Sequence, residues 1–202
     1  MTSPTRDVAA LLCLDAIGVL KKELVKSLYS SKDVKEMVKH SVTLEYDEVT
    51  DVTPDIRITF YNAGHTIGSA ITHIHIGNGL HNLVYCGDYK FLRTQLLEPA
   101  INRFPRVETI ITEATYAGRD NIFPARKVCE DKVIQIVKET YEKGGKVLIP
   151  VLGVGRSQEI MLILEEAVRE GRLEKIPVYI QGMVWDVTAI HTAYPDYLNK
   201  FV

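Results

Sequence analysis

The sequence predicts an α/β fold in two parts, and three observations support this prediction. Apolar and polar residues alternate between residues 56 and 86 with the period of two that a β-strand produces. From about residue 119 onward, helical and strand patterns follow one another, which is the order of a parallel sheet covered by helices. A helical pattern precedes both regions. We therefore place the domain change near Gly118, so that residues 1–118 and 119–202 form the two parts.

The boundaries of the elements follow from turn and capping residues. Ser3-Pro4-Thr5 offers a capping hydroxyl and a proline at a helix start, and the apolar residues that follow cover most faces of this helix, so we expect it to be buried. Gly144-Gly145 ends a later helix. The predicted helices are 7–20, 30–39, 124–142, 156–170 and 185–193, and the predicted strands are 42–46, 56–61, 71–76, 83–86, 107–112, 146–151 and 177–180.

Composition and charge narrow the class of protein. Hydrophobic residues make up 46% and charged residues 25% of the 202 residues, and the net charge of -2 does not by itself indicate a nucleic-acid partner. Cys13, Cys86 and Cys129 form no CxxC pair, which disfavours a disulfide framework and favours a reducing compartment. Neither a signal peptide nor a membrane span is recognisable, so we expect a cytoplasmic protein without a membrane partner.

Three predicted strands each end in a residue that can bind a metal or exchange a proton. His65 lies on a loop between Gly64 and Gly68, while Asp88 and Glu113 each follow a short apolar strand. Taken singly, His65 is equally well explained as an unremarkable loop residue, and Asp88 is better explained as a turn residue. Together they predict a metal-hydrolase site at one edge of a sheet, because such a site needs metal ligands and an acid that orients them or exchanges protons.

Four segments extend this prediction to a family. They are AGHTIGSA (63–70), YCGDY (85–89), EATY (113–116) and VLIPVLGVGRSQE (147–159). In this order they resemble segments of the β-CASP nucleases of the metallo-β-lactamase superfamily, in particular the archaeal relatives of the cleavage and polyadenylation specificity factor nuclease. The resemblance implies that residues 1–118 are the later portion of a metallo-β-lactamase-type αββα domain. It also implies that residues 119–202 are the first portion of a parallel-sheet β-CASP domain.

The same resemblance implies a role for each site residue. His65 matches a histidine that binds one zinc ion, and Asp88 matches an aspartate that bridges two zinc ions. Glu113 matches a catalytic acid that pairs with a distant histidine near the leaving group. The implied activity is zinc-dependent hydrolysis of RNA by an activated water, endonucleolytic and with 5′ exonuclease action as a further expectation. The implied process is RNA 3′-end formation or transcription termination.

The chain lacks some of the metal-binding residues that the family has. It contains neither the His-x-His-x-Asp-His cluster nor the two later histidines, whereas a catalytic zinc normally has three protein ligands. We therefore expect an incomplete zinc site and no RNA cleavage by the chain alone. A non-catalytic paralogue or scaffold subunit of an RNA-processing complex, and a truncated product, remain alternatives. The expected partners are RNA, the remaining segments of a full-length protein and, through open sheet edges, a second copy of the chain.

Two further motifs contain residue types found at phosphate and metal sites. Arg156 follows Gly153-Val154-Gly155 at a predicted helix start, where it either contacts an RNA phosphate or serves as a structural arginine between the domains. His73 and His75 have the His-x-His spacing of a metal site. They lie on one face of a regular strand with no Asp-His after them, so we do not assign them as ligands.

Overall fold

The computed structural model describes residues 1–202 and opens with two helices, α1 (Ser3–Lys22) and α2 (Ser31–His40). Thr2 caps α1 by accepting a hydrogen bond from the Thr5 N–H, and Ser30 forms a reciprocal capping box that begins α2, as its sequence indicates. The expectation that α1 is buried is wrong. Only Pro4 of this helix is buried, because α1 contacts α2 and a helix near the end of the chain while its other faces remain open.

One sheet of five strands follows, with neighbouring strands also consecutive in the chain. The first four strands pair antiparallel and the last pair is parallel. The segment predicted as a strand at 42–46 is not one, because only Tyr46 forms a bridge, to Phe60. The first strand was not predicted, although its Val-Thr-rich sequence lies before a Pro54-Asp55 turn. The strands are β1 (Val49–Thr53), β2 (Ile56–Asn62), β3 (Ala70–Ile76), β4 (His81–Tyr85) and β5 (Thr109–Ile111).

The later part of the chain contains three α-helices, α3 (Arg126–Glu142), α4 (Arg156–Arg169) and α5 (Val184–Ala193), and a 3-10 turn at Pro195–Tyr197. Helices α3 and α4 share an apolar core. This core contains Ile134, Val137, Ile163, Leu164, Ala167 and Leu173. No helix of the chain combines the length and the apolar character that crossing a bilayer requires.

The two strands predicted at 146–151 and 177–180 are absent as strands. Neither segment makes backbone–backbone hydrogen bonds, and the side chains of Leu148 and Tyr179 are 93% and 92% exposed. A strand exists only with a hydrogen-bonded neighbour, and no other segment of the chain forms backbone hydrogen bonds with these two. The α/β class is confirmed, but the parallel sheet of the second part is not formed within this chain.

The direction of the strands positions the candidate site. Strand β3 is antiparallel to both β2 and β4, and β5 is parallel to β4, so β2, β4 and β5 all run the same way. Their carboxyl ends therefore meet at one edge of the sheet. The loops that leave this edge cover a second apolar core, which contains Ala63, Ile71, Val84, Cys86 and Ala100.

Candidate metal centre

The structure brings the three predicted site residues to the same edge of the sheet. His65 follows β2, Asp88 follows β4 and Glu113 follows β5. The His65 Nε2 atom lies 3.6 Å from the Asp88 Oδ2 atom, and both side chains are largely exposed. Hydrogen bonds from Thr115 lower the pKa of Glu113, and the charge of nearby His65 lowers it further. His65 therefore lies beside the Asp88 carboxylate and near enough to Glu113 to favour its ionised form.

The backbone before His65 is held in a conformation that only glycine adopts without strain. Gly64 has φ +63°, and a Cβ atom placed on it would lie 2.8 Å from three backbone atoms, among them Ala100 N and Lys90 O. Its N–H donates to the Asn62 Oδ1 atom at 2.9 Å. This close approach explains why glycine precedes the histidine: the loop is packed against the segments that follow Asp88.

Ser69 closes the His65 loop, and sequence reasoning did not assign it a role. Its hydroxyl accepts hydrogen bonds from the backbone N–H groups of His65 and Thr66, both at 3.1 Å. Its carbonyl accepts hydrogen bonds from the Ala63 N–H and, at 2.8 Å, from the Tyr46 hydroxyl. A serine four residues after the histidine is the signal that could have identified it, since a serine at that distance can bond back to the loop.

The amino end of α1 supports the same loop from a second side. Hydroxyl groups of Thr2 and Thr5 both donate to the Gly68 carbonyl, at 2.7 and 3.0 Å. Thr2 is buried, and burial also raises the pKa of the Tyr46 hydroxyl, which therefore stays protonated and remains a donor. The His65 backbone is thus fixed by buried donors, whereas its imidazole ring is partly exposed to solvent.

The surroundings of Asp88 leave its carboxylate available. The Cys86 N–H donates to the Ile111 carbonyl at 2.9 Å, which continues the β4–β5 pairing by one residue toward Asp88. Burial raises the pKa of the Cys86 thiol, which favours its protonated form, and the side chain packs in the second apolar core. Glu113 Oε2 accepts the Thr115 N–H at 2.7 Å.

The geometry of the His65–Asp88 pair fits part of a zinc site. Tetrahedral zinc with ligands at about 2.0–2.2 Å separates neighbouring ligand atoms by about 3.4 Å, close to the 3.6 Å between the two side chains. No group of three or more His, Cys, Asp or Glu residues converges on one point of the chain. The pair would therefore supply at most two ligands to a zinc ion, one fewer than a catalytic zinc normally receives from protein.

Arg156 begins helix α4 beside the His65 loop. Gly155 has φ +80°, and a Cβ atom placed on it would lie 3.7 Å from the Thr66 methyl group. Arg156 itself is exposed. Burial lowers the pKa of Lys90, and the positive charges of Arg126 and Arg156 lower it further, so these three basic side chains lie near one another. The loop that carries His65 is thus bordered by cationic groups from both parts of the chain.

His73 and His75 lie away from this edge, on one face of β3. His73 is fully buried, and its Nε2 atom donates to the Arg106 carbonyl at 2.9 Å. The Nδ1 atom of His75 donates to Asn82 Oδ1 at 2.9 Å. Both rings are therefore engaged in hydrogen bonds in the polar interior of the sheet.

Comparison with known proteins agrees with this arrangement. Residues 1–113 match a metallo-beta-lactamase superfamily domain, and residues 157–202 match a Beta-Casp domain. The chain therefore belongs to the metallo-β-lactamase superfamily, and its later part is the beginning of a β-CASP domain. It is 52% identical over 201 residues to the transcription termination factor FttA of Thermococcus kodakarensis, covering 100% of this chain. It is 53% identical over 199 residues to FttA of Methanosarcina mazei, covering 98% of this chain.

The match covers a minor part of those relatives. This chain spans 31% of the length of each of the two proteins. The resemblance derived from the four sequence segments is confirmed at the level of the family and of its archaeal members. The superfamily is one of metal-binding proteins, while the identity of the metal, the reaction and the role of each site residue belong to the proposal below.

Proposed function

We propose that this chain contributes His65, Asp88 and Glu113 to a zinc-dependent RNA hydrolase that acts in transcription termination or RNA 3′-end processing. The single observation that carries the proposal is the 3.6 Å approach of His65 Nε2 to Asp88 Oδ2 at an edge that also receives Glu113. The relatives are named as transcription termination factors, which supports a role of this chain in transcription termination. Endonucleolytic cleavage and additional 5′ exonuclease action are part of the same proposal.

Each residue has a defined task in this proposal. His65 Nε2 and Asp88 Oδ2 bind zinc, which when bound supplies the positive charge that stabilises phosphate oxygens during hydrolysis. The lowered pKa of Glu113 keeps its carboxylate ionised at neutral pH. Its Oε2 atom is held by Thr115, while Oε1 makes no hydrogen bond within the chain and is free to accept one from a histidine of another segment. Arg156 would contact an RNA phosphate beside the His65 loop.

Zinc titration of the isolated chain tests the ligand pair. We expect zinc to shift the NMR signals of the His65 imidazole with weak affinity, and Asp88→Ala to weaken that binding roughly tenfold. His40→Ala provides the matched control, because His40 is an exposed histidine on α2. An unchanged His65 signal at saturating zinc would contradict the ligand assignment. Two tightly held zinc ions per chain after dialysis would contradict the incomplete site.

Cleavage of single-stranded RNA tests the activity itself. The isolated chain should not cleave RNA in the presence of zinc, because the ligand set is incomplete. A chimera in which this chain replaces the matching third of the Methanosarcina mazei protein should cleave it, and Asp88→Ala in that chimera should abolish cleavage. A chimera that folds and binds zinc but leaves RNA intact would overturn the proposal.

One observation favours a second candidate function, a non-catalytic scaffold subunit. Within the chain no third ligand joins His65 and Asp88, so the chain by itself could bind a partner without hydrolysing RNA. The two candidates differ in the chimera experiment. A scaffold chain would yield a folded chimera that neither cleaves RNA nor responds to Asp88→Ala.

A further inference from the structure

Glu159 of helix α4 reaches across to the first part of the chain. Its Oε1 atom accepts the backbone N–H of Gln95 at 2.8 Å, and its Oε2 atom accepts the backbone N–H of Leu96 at 3.0 Å. The Arg126 guanidinium of α3 also pairs with this carboxylate. The Glu159 side chain is only 17% exposed. A largely buried carboxylate with two successive backbone donors and a guanidinium makes strong, charge-assisted hydrogen bonds.

The segment that Glu159 holds, residues 90–100, is closed by internal hydrogen bonds and is also tied to the residue that precedes the His65 loop glycine. The Lys90 N–H donates to the Ala63 carbonyl at 2.9 Å, and the Lys90 carbonyl accepts the Ala100 N–H at 2.8 Å. The Leu97 N–H donates to the Thr94 hydroxyl at 2.8 Å. Leu96 and Leu97 are buried. This segment begins just after the proposed metal ligand Asp88, so a group attached to it keeps a defined position relative to that ligand.

The contact between Glu159 and the segment 90–100 also fixes the start of α4. Arg156 is one helical turn before Glu159, so fixing the Glu159 carboxylate fixes the first turn of the helix. Gly155, which precedes this turn, lies beside Thr66 of the His65 loop. The same helix contacts the segment again two turns later, where the Gln95 side-chain amide donates to Glu166 at 2.8 Å.

We infer that Glu159 is a positioning residue. Its carboxylate holds the first turn of α4, and with it Arg156, at the sheet edge where His65 and Asp88 meet. This joint between α4 and the segment 90–100 follows from the contacts of Glu159 alone. Only the consequence for RNA rests on the proposed function, because it requires that Arg156 contact a phosphate.

Amide hydrogen exchange tests the joint in the 202-residue chain. In Glu159→Gln and Glu159→Ala we expect the Gln95 and Leu96 amides to exchange about tenfold faster or more, because each loses its charged acceptor. The Lys90 and Ala100 amides should be unchanged, since their acceptors, the carbonyls of Ala63 and Lys90, do not involve Glu159. Glu165→Gln is the matched control, because Glu165 lies on the same helix with its side chain 59% exposed and pairs only with Arg169. Glu159→Gln keeps the experiment decisive if the alanine variant fails to fold.

A second readout separates positioning from general stabilisation. The nuclear Overhauser contact between the Thr66 methyl group and the Gly155 α protons should disappear in Glu159→Gln while the rest of the spectrum stays folded. A residue that only stabilised the fold would lower the unfolding midpoint and leave this contact in place. Unchanged exchange of Gln95 and Leu96 together with a preserved Thr66–Gly155 contact would overturn the inference.

Binding of a single-stranded RNA oligonucleotide distinguishes the joint from the proposed function. If Arg156 contacts RNA, Glu159→Gln should weaken binding several-fold and Arg156→Ala should weaken it at least as much, with Glu165→Gln unaffected. If exchange and the Thr66–Gly155 contact change but RNA binding by both variants does not, the joint is established and the RNA contact of Arg156 is refuted.

Discussion

At the scale of single residues, the candidate site separates a rigid backbone from accessible side chains. Ala63 and Gly64 are buried, whereas the side chains of His65 and Asp88 are 42% and 69% exposed. Ser69 and Gly64 therefore matter as much as the proposed ligands, because they determine where the exposed imidazole lies. The glycine is required by a steric conflict with neighbouring backbone and not only by its positive φ.

Two glycine-to-alanine substitutions separate the cost of a steric conflict from the cost of a positive φ. Gly64→Ala should lower the free energy of unfolding by about 3 kcal/mol or more, because the new Cβ meets backbone atoms that cannot move independently. Gly144→Ala is the matched control, since Gly144 has φ +70° with nothing within 4 Å of the added Cβ, and it should cost about 1 kcal/mol. Urea denaturation of both variants measures the difference. Equal losses would show that the close packing around Gly64 is not significant.

At the scale of elements, β3 illustrates how a polar pattern can belong to a core. His73 and His75 alternate with apolar residues as a half-buried strand requires, and the His73 ring packs against His75, with the ring centroids 4.1 Å apart. The His73 Nδ1 atom is buried without a hydrogen-bond partner. Burial is the main cause that lowers the pKa of His73, followed by the charge of His75, so the folded chain favours the neutral ring.

The buried His73 of β3 makes the free energy of unfolding decrease as the pH falls. Because the pKa of His73 is lowered on folding, the unfolded chain binds the extra proton more readily as the pH falls through the ordinary histidine value of about 6.5. The contribution of the neutral His73 ring to the free energy of unfolding is therefore fully present above that pH and is lost progressively below it. The free energy of unfolding at pH 7.5 and 5.5 measures the loss. His73→Gln should reduce the pH dependence, while His40→Gln, at an exposed position, should leave it unchanged.

At the scale of the whole molecule, the chain exposes more surface to solvent than a compact protein of the same mass. A compact monomer of 22.8 kDa exposes roughly 9,600 Å², whereas this chain exposes 13821 Å². Part of the excess is apolar surface on segments 146–151 and 177–180, which form no backbone–backbone hydrogen bonds. Unpaired extended segments with apolar side chains favour pairing with another chain.

We therefore expect the isolated chain to self-associate with increasing concentration. Leu148→Lys and Tyr179→Lys, each at an exposed position of a segment without backbone hydrogen bonds, should raise the fraction of monomer in analytical ultracentrifugation. Leu28→Lys is the control, because Leu28 is 100% exposed but lies in the turn between α1 and α2. If all three substitutions act alike, general hydrophobicity and not strand pairing causes the association.

The sequence alone was enough for the local features and for the family. Periodicity and capping residues predicted the five α-helices, and four of the five strands, within a few residues. His65, Asp88 and Glu113 were identified from glycine loops and strand ends. The division near Gly118 stays a prediction. These features depend on residues close together in the chain, or on the order of motifs, and both can be recognised without coordinates.

Only the tertiary structure decided which predicted elements form and what holds the site together. Segments 146–151 and 177–180 carry good strand sequences, yet pairing depends on a neighbour that no local pattern reveals. The contacts of Glu159 with Gln95 and Leu96 join residues more than sixty positions apart, and the 3.6 Å between His65 and Asp88 depends on two strands running in the same direction. Sequence determined which residues are available, and long-range hydrogen bonding decided which of them meet.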